Sequence, residues 1–327
     1  MQLEQPTALG QSERPWSRRR LLSTGCLSAA GLGLLALRPG ARAMEMGGGH
    51  GKKIRTELPF DPQLVLRSFE RGQLINEAGR VIRVFEVEAR SINLPLAEGI
   101  TFKAWSLDGR VPGPTLRARE GERIRVVFRN SDNTSHSLHF HGVHAAAVDG
   151  VTPVLRGQSQ IYEFDLPRAG LYPYHCHVAP VARHVGKGLF GLLIVEPQTP
   201  RPPADELVLV MGGYDLDNDG HNELYAFNGI PDAYLHQPIQ IHQNALVRVY
   251  LLNMVELDPP LSFHIHGNEF SVLRRGTPEI TDVFTLGIGE RQILEFRYPF
   301  SGRYMFHPHQ DVIAERGCMG LFEVMPS

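Results

Sequence analysis

The chain has 327 residues and a formal net charge of -2 at pH 7. Because basic and acidic residues nearly balance, the sequence gives no electrostatic case for a nucleic acid or an anionic membrane as a partner. The length allows two domains with substantial cores, and 24 prolines with 33 glycines favour short strands joined by turns.

The first 43 residues are typical of an export signal rather than of a folded domain. A basic cluster spans Arg18 to Arg20, an apolar stretch runs through Leu37, and an Ala-Arg-Ala sequence ends at Ala43. The Ser-Arg-Arg-x-Leu-Leu opening resembles a twin-arginine signal and predicts export to the periplasm or outside the cell. The apolar stretch is short for a bilayer, so we expect no stable membrane anchor.

Residues 44–58 are Gly-rich at their start and predict a flexible leader. Further along, apolar runs bounded by turn residues predict β-strands. These runs include ERIRVVFRN (122–130), GLLIV (191–195), DELVLVMGG (205–213) and ALVRVYLLN (245–253). The Pro-rich segment 196–206 predicts a linker between one domain at 59–197 and a second at 198–327.

The sequence HSLHFHGVH, residues 136–144, is the first cluster of metal-ligand side chains. On an extended strand His139 and His141 lie on one face, whereas His136 has the opposite parity and lies on the other. One short segment can therefore contribute to two metal sites. Asp149 follows closely and predicts either an acid near such a site or a turn residue.

The sequence His175-Cys176-His177 repeats this arrangement, because strand geometry sends the thiol to one side and both imidazoles to the other. His184 follows eight residues after the cysteine. One thiolate combined with imidazoles suits copper, which binds soft sulfur and nitrogen together. A buried cysteine between two structural histidines is the alternative for this segment alone.

The second half of the chain repeats the pattern in part. LSFHIHG contains His264 and His266, and YMFHPHQ contains His307 and His309. Leu261 stands where the first copy has a histidine, and Pro308 stands where it has the cysteine. Since neither residue has a suitable donor atom, the second copy keeps four imidazoles but lacks the thiolate site.

These segments together resemble multicopper oxidases, specifically the small two-domain kind, from about Phe85 to the C-terminus. The resemblance implies an all-β chain of two cupredoxin-like Greek-key β-sandwich domains. It implies a type 1 copper bound by His136, Cys176 and His184, with Leu189 at the axial position as a non-coordinating residue. It implies a type 2 copper bound by His139 and His264, and a type 3 copper pair bound by His141, His175, His177, His266, His307 and His309.

The function implied is a laccase-like oxidation of a small donor (a phenol, an aromatic amine or a metal ion) coupled to reduction of dioxygen to water. Such a chain carries about four copper ions, and the residue His184 is expected near the surface to receive electrons. Cys176 then connects the type 1 copper to the cluster, and Asp149 is a candidate proton donor. The resemblance further implies a homotrimer with trinuclear clusters at the subunit interfaces.

Two other functions stay open. A copper-containing nitrite reductase has the same fold but uses fewer imidazoles, and its cysteine is not followed by a ligand histidine. A non-catalytic copper-binding protein is expected only where ligands are lost. Cys318 is predicted to be a small core residue, and DLDNDGHNE (215–223) a polar turn, because Ala226 replaces the glutamate that a calcium loop requires.

Overall fold

The computed structural model describes residues 57–273 and 279–327. The predicted signal and nearly all of the predicted leader lie outside the described residues. Strands make up 48% of the structure and helices 9%, so the all-β prediction is confirmed. Within the described residues no helix has the length and apolar character needed to span a membrane.

From residue 57 onward, where the structure is described, the first half contains nine strands and two short helices. The strands are β1 (Gln73–Glu77), β2 (Arg80–Ala97), β3 (Ile100–Leu107), β4 (Thr115–Arg119), β5 (Arg123–Asn130), β6 (His139–Phe140), β7 (Ser159–Asp165), β8 (Gly170–His175) and β9 (Phe190–Glu196). The helices are α1 (Pro62–Arg67) and α2 (Val181–Gly186), and a 3-10 turn spans Ala146–Val148. One sheet has the order β1-β2-β5-β7 with β3 also paired to β2, and the other has the order β4-β9-β8-β6.

Outside residues 274–278, which are not described, the second half contains eleven strands and two short helices. The strands are β10 (Asp205–Tyr214), β11 (Leu224–Phe227), β12 (Ile239–His242), β13 (Val247–Asn253), β14 (Leu261–Ile265), β15 (Phe270–Val272), β16 (Glu279–Thr281), β17 (Val283–Leu286), β18 (Arg291–Phe296), β19 (Gly302–His307) and β20 (Gly320–Met325). The helices are α3 (Ala233–His236) and α4 (Asp311–Glu315). The sheets have the orders β11-β10-β13-β18-β15-β16 and β12-β20-β19-β14-β17.

The strands predicted from apolar runs are all present, and their sequence patterns follow their burial. In β5, buried and partly exposed side chains alternate, as expected for a strand with one face toward the core. Every residue of β13 is buried. Val249 and Leu251 enter a core of the second half, whereas Tyr250 and Leu252 enter a core shared with the first half. A continuous apolar run therefore marks a strand that is covered on both faces.

The shared core joins the two halves of the chain. Phe102, Leu192 and Ile194 from the first half pack there with Val208 and other apolar residues from the second. Between β9 and β10, residues 197–204 form no helix or strand. The sheets respect the predicted division of the chain, but the boundaries 59–197 and 198–327 stay a prediction.

The internal repeat is visible in strand register. In the first half His139 lies opposite His175 between β6 and β8. In the second half His264 lies opposite His307 between β14 and β19. Because register fixes which side chains face each other, the same histidine positions meet in both halves.

Candidate metal centres

Three buried side chains form the first centre. His136 Nδ1 lies 3.2 Å from His184 Nδ1, and Cys176 Sγ lies 3.2 Å from that same nitrogen. His136 and Cys176 are 0% exposed and His184 is 3% exposed. The structure thus brings together the three residues predicted as type 1 copper ligands.

The donor set fits copper. Two imidazole nitrogens bound at about 2.0 Å to one tetrahedral ion lie about 3.3 Å apart, close to the separation seen here. Burial lowers the pKa of His136 to about 4, and the neighbouring His184 adds to this effect, so the imidazole is neutral at pH 7 and has a free lone pair. Its Nε2 is buried with no hydrogen-bond partner among the described residues. One soft sulfur beside two nitrogens is the combination that copper prefers.

One hydrogen bond holds the thiol of Cys176 and another holds its backbone. The backbone N–H of Ser137 donates to Sγ at 3.4 Å, and the cysteine's own N–H donates to the carbonyl of Leu189 at 3.0 Å. Burial raises the pKa of this thiol, so a bound cation would be needed to stabilise the thiolate. Leu189 is fully buried in the same core and its side chain offers no donor atom.

His184, which is expected near the surface, has little solvent exposure in this chain. The imidazole sits on α2 and is only 3% exposed. The indole of Trp105 packs 4.7 Å from it, measured between ring centroids, and 5.0 Å from His136. The sequence gives no indication of this contact, because Trp105 lies far from both histidines along the chain.

A second group consists of four imidazoles in the first half. His139 has its ring centroid 5.3 Å from those of His141 and His175, and 5.1 Å from that of His177. The Nε2 atoms of His141 and His175 lie 3.2 Å apart. Burial lowers the pKa of each of these two imidazoles to about 4, so both are neutral donors at pH 7.

The second half reproduces this group. His264 lies 5.0 Å from His266, 5.6 Å from His307 and 5.1 Å from His309, again between ring centroids. The Nε2 atoms of His266 and His307 lie 3.0 Å apart. We call the first four residues half-site 1 and these four half-site 2.

Backbone carbonyls orient the imidazoles in both half-sites. His139 Nδ1 lies 2.8 Å from the carbonyl of Asp149, and His264 Nδ1 lies 2.7 Å from that of Asp282. His175 Nδ1 is 2.9 Å from the carbonyl of Cys176, and the equivalent contact of His307 is 2.7 Å. Since a carbonyl only accepts hydrogen bonds, each Nδ1 carries the proton and each Nε2 is left free for a metal.

The predicted acid Asp149 does lie beside half-site 1. Its Oδ1 is 3.2 Å from His139 Nδ1, and its side chain is 42% exposed. Asp282 occupies the equivalent place in half-site 2, with Oδ2 3.8 Å from His264 Nδ1. Sequence reasoning missed Asp282, because the segment between the His-x-His pair and the aspartate is longer in the second half and contains β15 and β16.

Sequence reasoning also missed two serines, one beside each half-site. The backbone N–H of His177 donates to the hydroxyl of Ser137 at 3.3 Å, and the N–H of His309 donates to that of Ser262 at 2.8 Å. A signal was available in the sequence, since a serine occupies the same position in HSLHFHG and LSFHIHG.

The two half-sites do not combine within one chain. Across residues 57–273 and 279–327, each group of three histidines with ligand atoms within 4.8 Å of one another comes from one half only. The turn between β17 and β18 approaches half-site 1 instead: a Cβ added at Gly289 would lie 3.5 Å from Cε1 of His141. Each half-site therefore has half of the predicted cluster ligands.

The acidic loop between β10 and β11 has the geometry of a polar turn. Oxygen atoms of Asp215, Asp217, Asp219 and Glu223 lie within 4.8 Å of one another. Backbone N–H groups of residues 219, 220 and 221 donate to these aspartates at 2.9 to 3.2 Å. The predicted core residue Cys318 is fully buried among apolar side chains of the second half.

Comparisons with known proteins agree with this architecture. Two multicopper oxidase family models match residues 88–200 and 200–327. A crystal structure of a multicopper oxidase superposes with a TM-score of 0.80 and 46% sequence identity, covering 82% of this chain and 98% of that one. The chain belongs to the multicopper oxidase family, whose cupredoxin-like fold it shares, and is a copper oxidoreductase by family.

The named relatives that match this chain have different activities. A copper-containing nitrite reductase of Neisseria meningitidis serogroup B is 30% identical over 271 residues, which cover 73% of this chain and 68% of that protein. A laccase of Oryza sativa subsp. japonica is 28% identical over 224 residues, which cover 57% of this chain and 38% of that protein. The choice between oxidants therefore depends on the ligands themselves.

Proposed function

We propose that the protein is a laccase-like enzyme that oxidises a small donor one electron at a time and reduces dioxygen to water. The observation that carries this proposal is the pair of matching half-sites, each with four imidazoles at nearly the same spacing. Eight imidazoles are the full complement that the family uses for one type 2 and two type 3 ions. With the thiolate centre, the ligands suffice for about four copper ions per chain.

Bound copper would supply the electron storage and the oxygen chemistry. The chain contributes ligand geometry, and Cys176 lies between His175 and His177 in sequence, so a covalent path connects the thiolate centre to half-site 1. The carbonyl contacts on Nδ1 fix four of the eight rings, those of His139, His175, His264 and His307, before metal binds, which reduces the reorganisation needed. The buried setting of Cys176 keeps bulk water away from the sulfur.

Reduction of dioxygen to water also consumes protons. We infer that Asp149 delivers them to half-site 1, because its carboxylate combines partial exposure with a 3.2 Å contact to His139. One oxygen can then exchange protons with solvent while the residue stays next to the metal ligands. Asp282 offers the same arrangement at half-site 2, although its carboxylate is further from the imidazole.

We infer that the complete cluster forms between subunits of a homotrimer. Exposed apolar side chains lie near both half-sites: Val143 is 64% exposed, Val151 59% and Ile288 47% near half-site 1, and Val312 is 60% exposed near half-site 2. Such surfaces favour burial in an interface. Half-site 1 facing half-site 2 of the next chain is a heterologous contact, which closes into a ring.

Sedimentation of the copper-loaded protein tests the assembly. A trimer that keeps full activity on dilution supports the proposal, and the variant Val312→Glu should dissociate it and release cluster copper while the blue centre remains. An exposed residue distant from both half-sites, such as Leu74 (59% exposed), provides the matched control Leu74→Glu. A fully active monomer would contradict the proposed interface.

Nitrite reduction is the second candidate function, favoured by the nitrite reductases among the relatives. Half-site 1 argues against it, because His177 follows the cysteine and lies 5.1 Å from His139 between ring centroids. A single type 2 copper does not need this extra imidazole. The non-catalytic alternative is disfavoured because the sequence retains every residue expected as a copper ligand.

Oxygen consumption measured with phenolic and metal-ion donors, in parallel with nitrite turnover, decides between these functions. We expect rapid oxygen uptake, an intense thiolate-to-copper absorption and little nitrite reduction. The variant Cys176→Ser should lose the blue absorption and keep cluster copper, and Cys318→Ser should stay blue as the control. We further propose export by the twin-arginine route, which fractionation of a producing bacterium would test.

A further inference from the structure

The three ligands of the predicted blue centre are almost sealed from solvent. His136 and Cys176 are fully buried, and His184 is 3% exposed. A donor molecule outside the chain therefore reaches at most the small exposed part of His184. A neighbouring side chain with more exposed surface would offer the donor a larger contact.

Trp105 on β3 is the side chain in the right place. Its ring centroid lies 4.7 Å from that of His184 and 5.0 Å from that of His136, so one indole contacts both imidazoles. Among the described residues, no other tryptophan or phenylalanine ring lies against either imidazole. The indole is only partly buried, which leaves part of it accessible from outside.

The indole is held in a fixed position. The backbone N–H of Trp105 donates to the carbonyl of Lys187 at 2.8 Å, which ties β3 to the end of α2. The guanidinium carbon of Arg183 lies 5.8 Å from the ring centroid, within range of a cation–π contact. A Cβ at Gly188 would lie only 2.8 Å from the carbonyl oxygen of Trp105, so the glycine permits this close approach.

We propose that Trp105 is the residue through which electrons from the donor enter the blue centre. This inference rests on the proposed function. When a phenol is the donor, it loses one electron, its hydroxyl proton leaves to water, and Cu(II) becomes Cu(I). The indole lies between the phenol and the copper ligands and is unchanged after the transfer.

A fluorescence measurement tests the contact independently of activity. The chain has two tryptophans, so the variant Trp16→Phe leaves Trp105 as the single indole. Titration with Cu(II) should quench most of its emission as the blue absorption develops, because the ring touches two ligands of that ion. Emission that survives full development of the blue colour would overturn the proposed contact.

Anaerobic stopped-flow reduction of the blue copper tests the electron path. The variant Trp105→Leu should slow reduction by a phenolic donor about tenfold, the factor that about 1.4 kcal/mol of added barrier produces. Trp105→Phe keeps an aromatic ring and should recover most of the rate. The reduction potential of each variant is measured as well, so that a change in driving force is separated from a change in path.

Phe102 provides the matched control on the same strand. It lines a groove of about 530 Å³ beside α2, and the ammonium of Lys187 lies 4.1 Å from its ring centroid. Phe102→Leu should leave the reduction rate unchanged. If Phe102→Leu slows reduction and Trp105→Leu does not, electrons enter through this groove and our inference is wrong, whereas a parent protein without blue colour would overturn the proposed function itself.

Discussion

The hydroxyl of Ser262 accepts a hydrogen bond from the backbone N–H of His309 at 2.8 Å. Ser137 receives the same bond from His177 at 3.3 Å. The two histidines each lie two residues beyond the end of a strand, β8 or β19, where no strand ladder fixes their backbone. Each serine therefore takes over the positioning of the last imidazole in its half-site.

Removing the hydroxyl of Ser262 should weaken copper binding at half-site 2. Loss of a group that orients a metal ligand costs about tenfold or more in affinity. We expect Ser262→Ala to lose cluster copper on mild dialysis while keeping the blue absorption, as measured by copper analysis and visible spectra. Ser262→Thr, which keeps the hydroxyl, is the control, and unchanged copper retention in the alanine variant would contradict this role.

His177 and His309 separate dioxygen from nitrite as the oxidant. Each is the second histidine of a pair, and a coupled type 3 copper pair requires both. Replacing either with Phe should end oxygen reduction, while donors still reduce the blue copper. Reoxidation of the reduced variant in air is followed by stopped flow, with His242→Phe, an exposed histidine outside both half-sites, as the control. Reoxidation at the parent's rate would refute the trinuclear assignment.

An ion-pair network joins the two halves of the chain and should govern acid stability. Arg117 on β4, with its side chain 6% exposed, contacts Glu206 on β10 at 2.7 Å. Arg248, at 3% exposed, lies 3.3 Å from the same carboxylate. Burial opposes ionisation of Glu206, but hydrogen bonds from Arg117 and Tyr250 outweigh it and lower its pKa below the ordinary 4.5.

A carboxylate with a lowered pKa stabilises the fold above its unfolded-state pKa, and the contribution is lost as the pH falls below about 4.5. Copper-free Glu206→Gln should therefore unfold at lower urea concentration at pH 7 and approach the parent at acid pH. Arg117→Met removes one of the two guanidinium groups that contact Glu206 and should cost at most about 3 kcal/mol. Equal losses of stability at pH 7 and pH 3 would contradict the linkage.

Much of the site could be predicted because its signals are local. The His-x-His spacing follows from the two-residue period of a strand, and both half-sites occur where that period placed them. The contact between His136 and His184 could not be derived from periodicity, since 48 residues separate them. The prediction of this contact came from the family resemblance.

Contacts that depend on tertiary packing were also missed, because periodicity does not reveal which distant residues meet. Trp105 reaches two ligands only because β3 crosses the end of α2, and nothing in its sequence neighbourhood indicates this. Burial of His184 was also unexpected, because exposure depends on what packs above α2. By contrast, the strands β5, β9, β10 and β13 were predictable, since burial on one or both faces leaves a direct pattern in the sequence.

In the second half, apolar residues and a cysteine occupy the positions that correspond to the blue-copper site. The N–H of Cys318 donates to the carbonyl of Ile313 at 3.4 Å, as the N–H of Leu189 donates to that of His184 at 3.3 Å. The preceding glycines, Gly317 and Gly188, have φ angles of 109° and 113°. Ile313 therefore stands where His184 stands, and Cys318 occupies the axial position.

The same backbone should accept copper when the ligands are restored. Leu261, Ile313 and Cys318 are buried in one apolar core. We expect the combined variant Leu261→His, Pro308→Cys, Ile313→His and Cys318→Leu to bind about one additional copper per chain with a second thiolate-to-copper absorption.

The copper-free variant should be less stable than the parent, because two imidazoles are buried without partners until metal binds. Pro308→Cys alone provides a thiol without imidazoles and should show no second absorption. A combined variant that has native circular dichroism and retains cluster copper, yet gains no blue absorption, would show that shared backbone geometry is insufficient for the site.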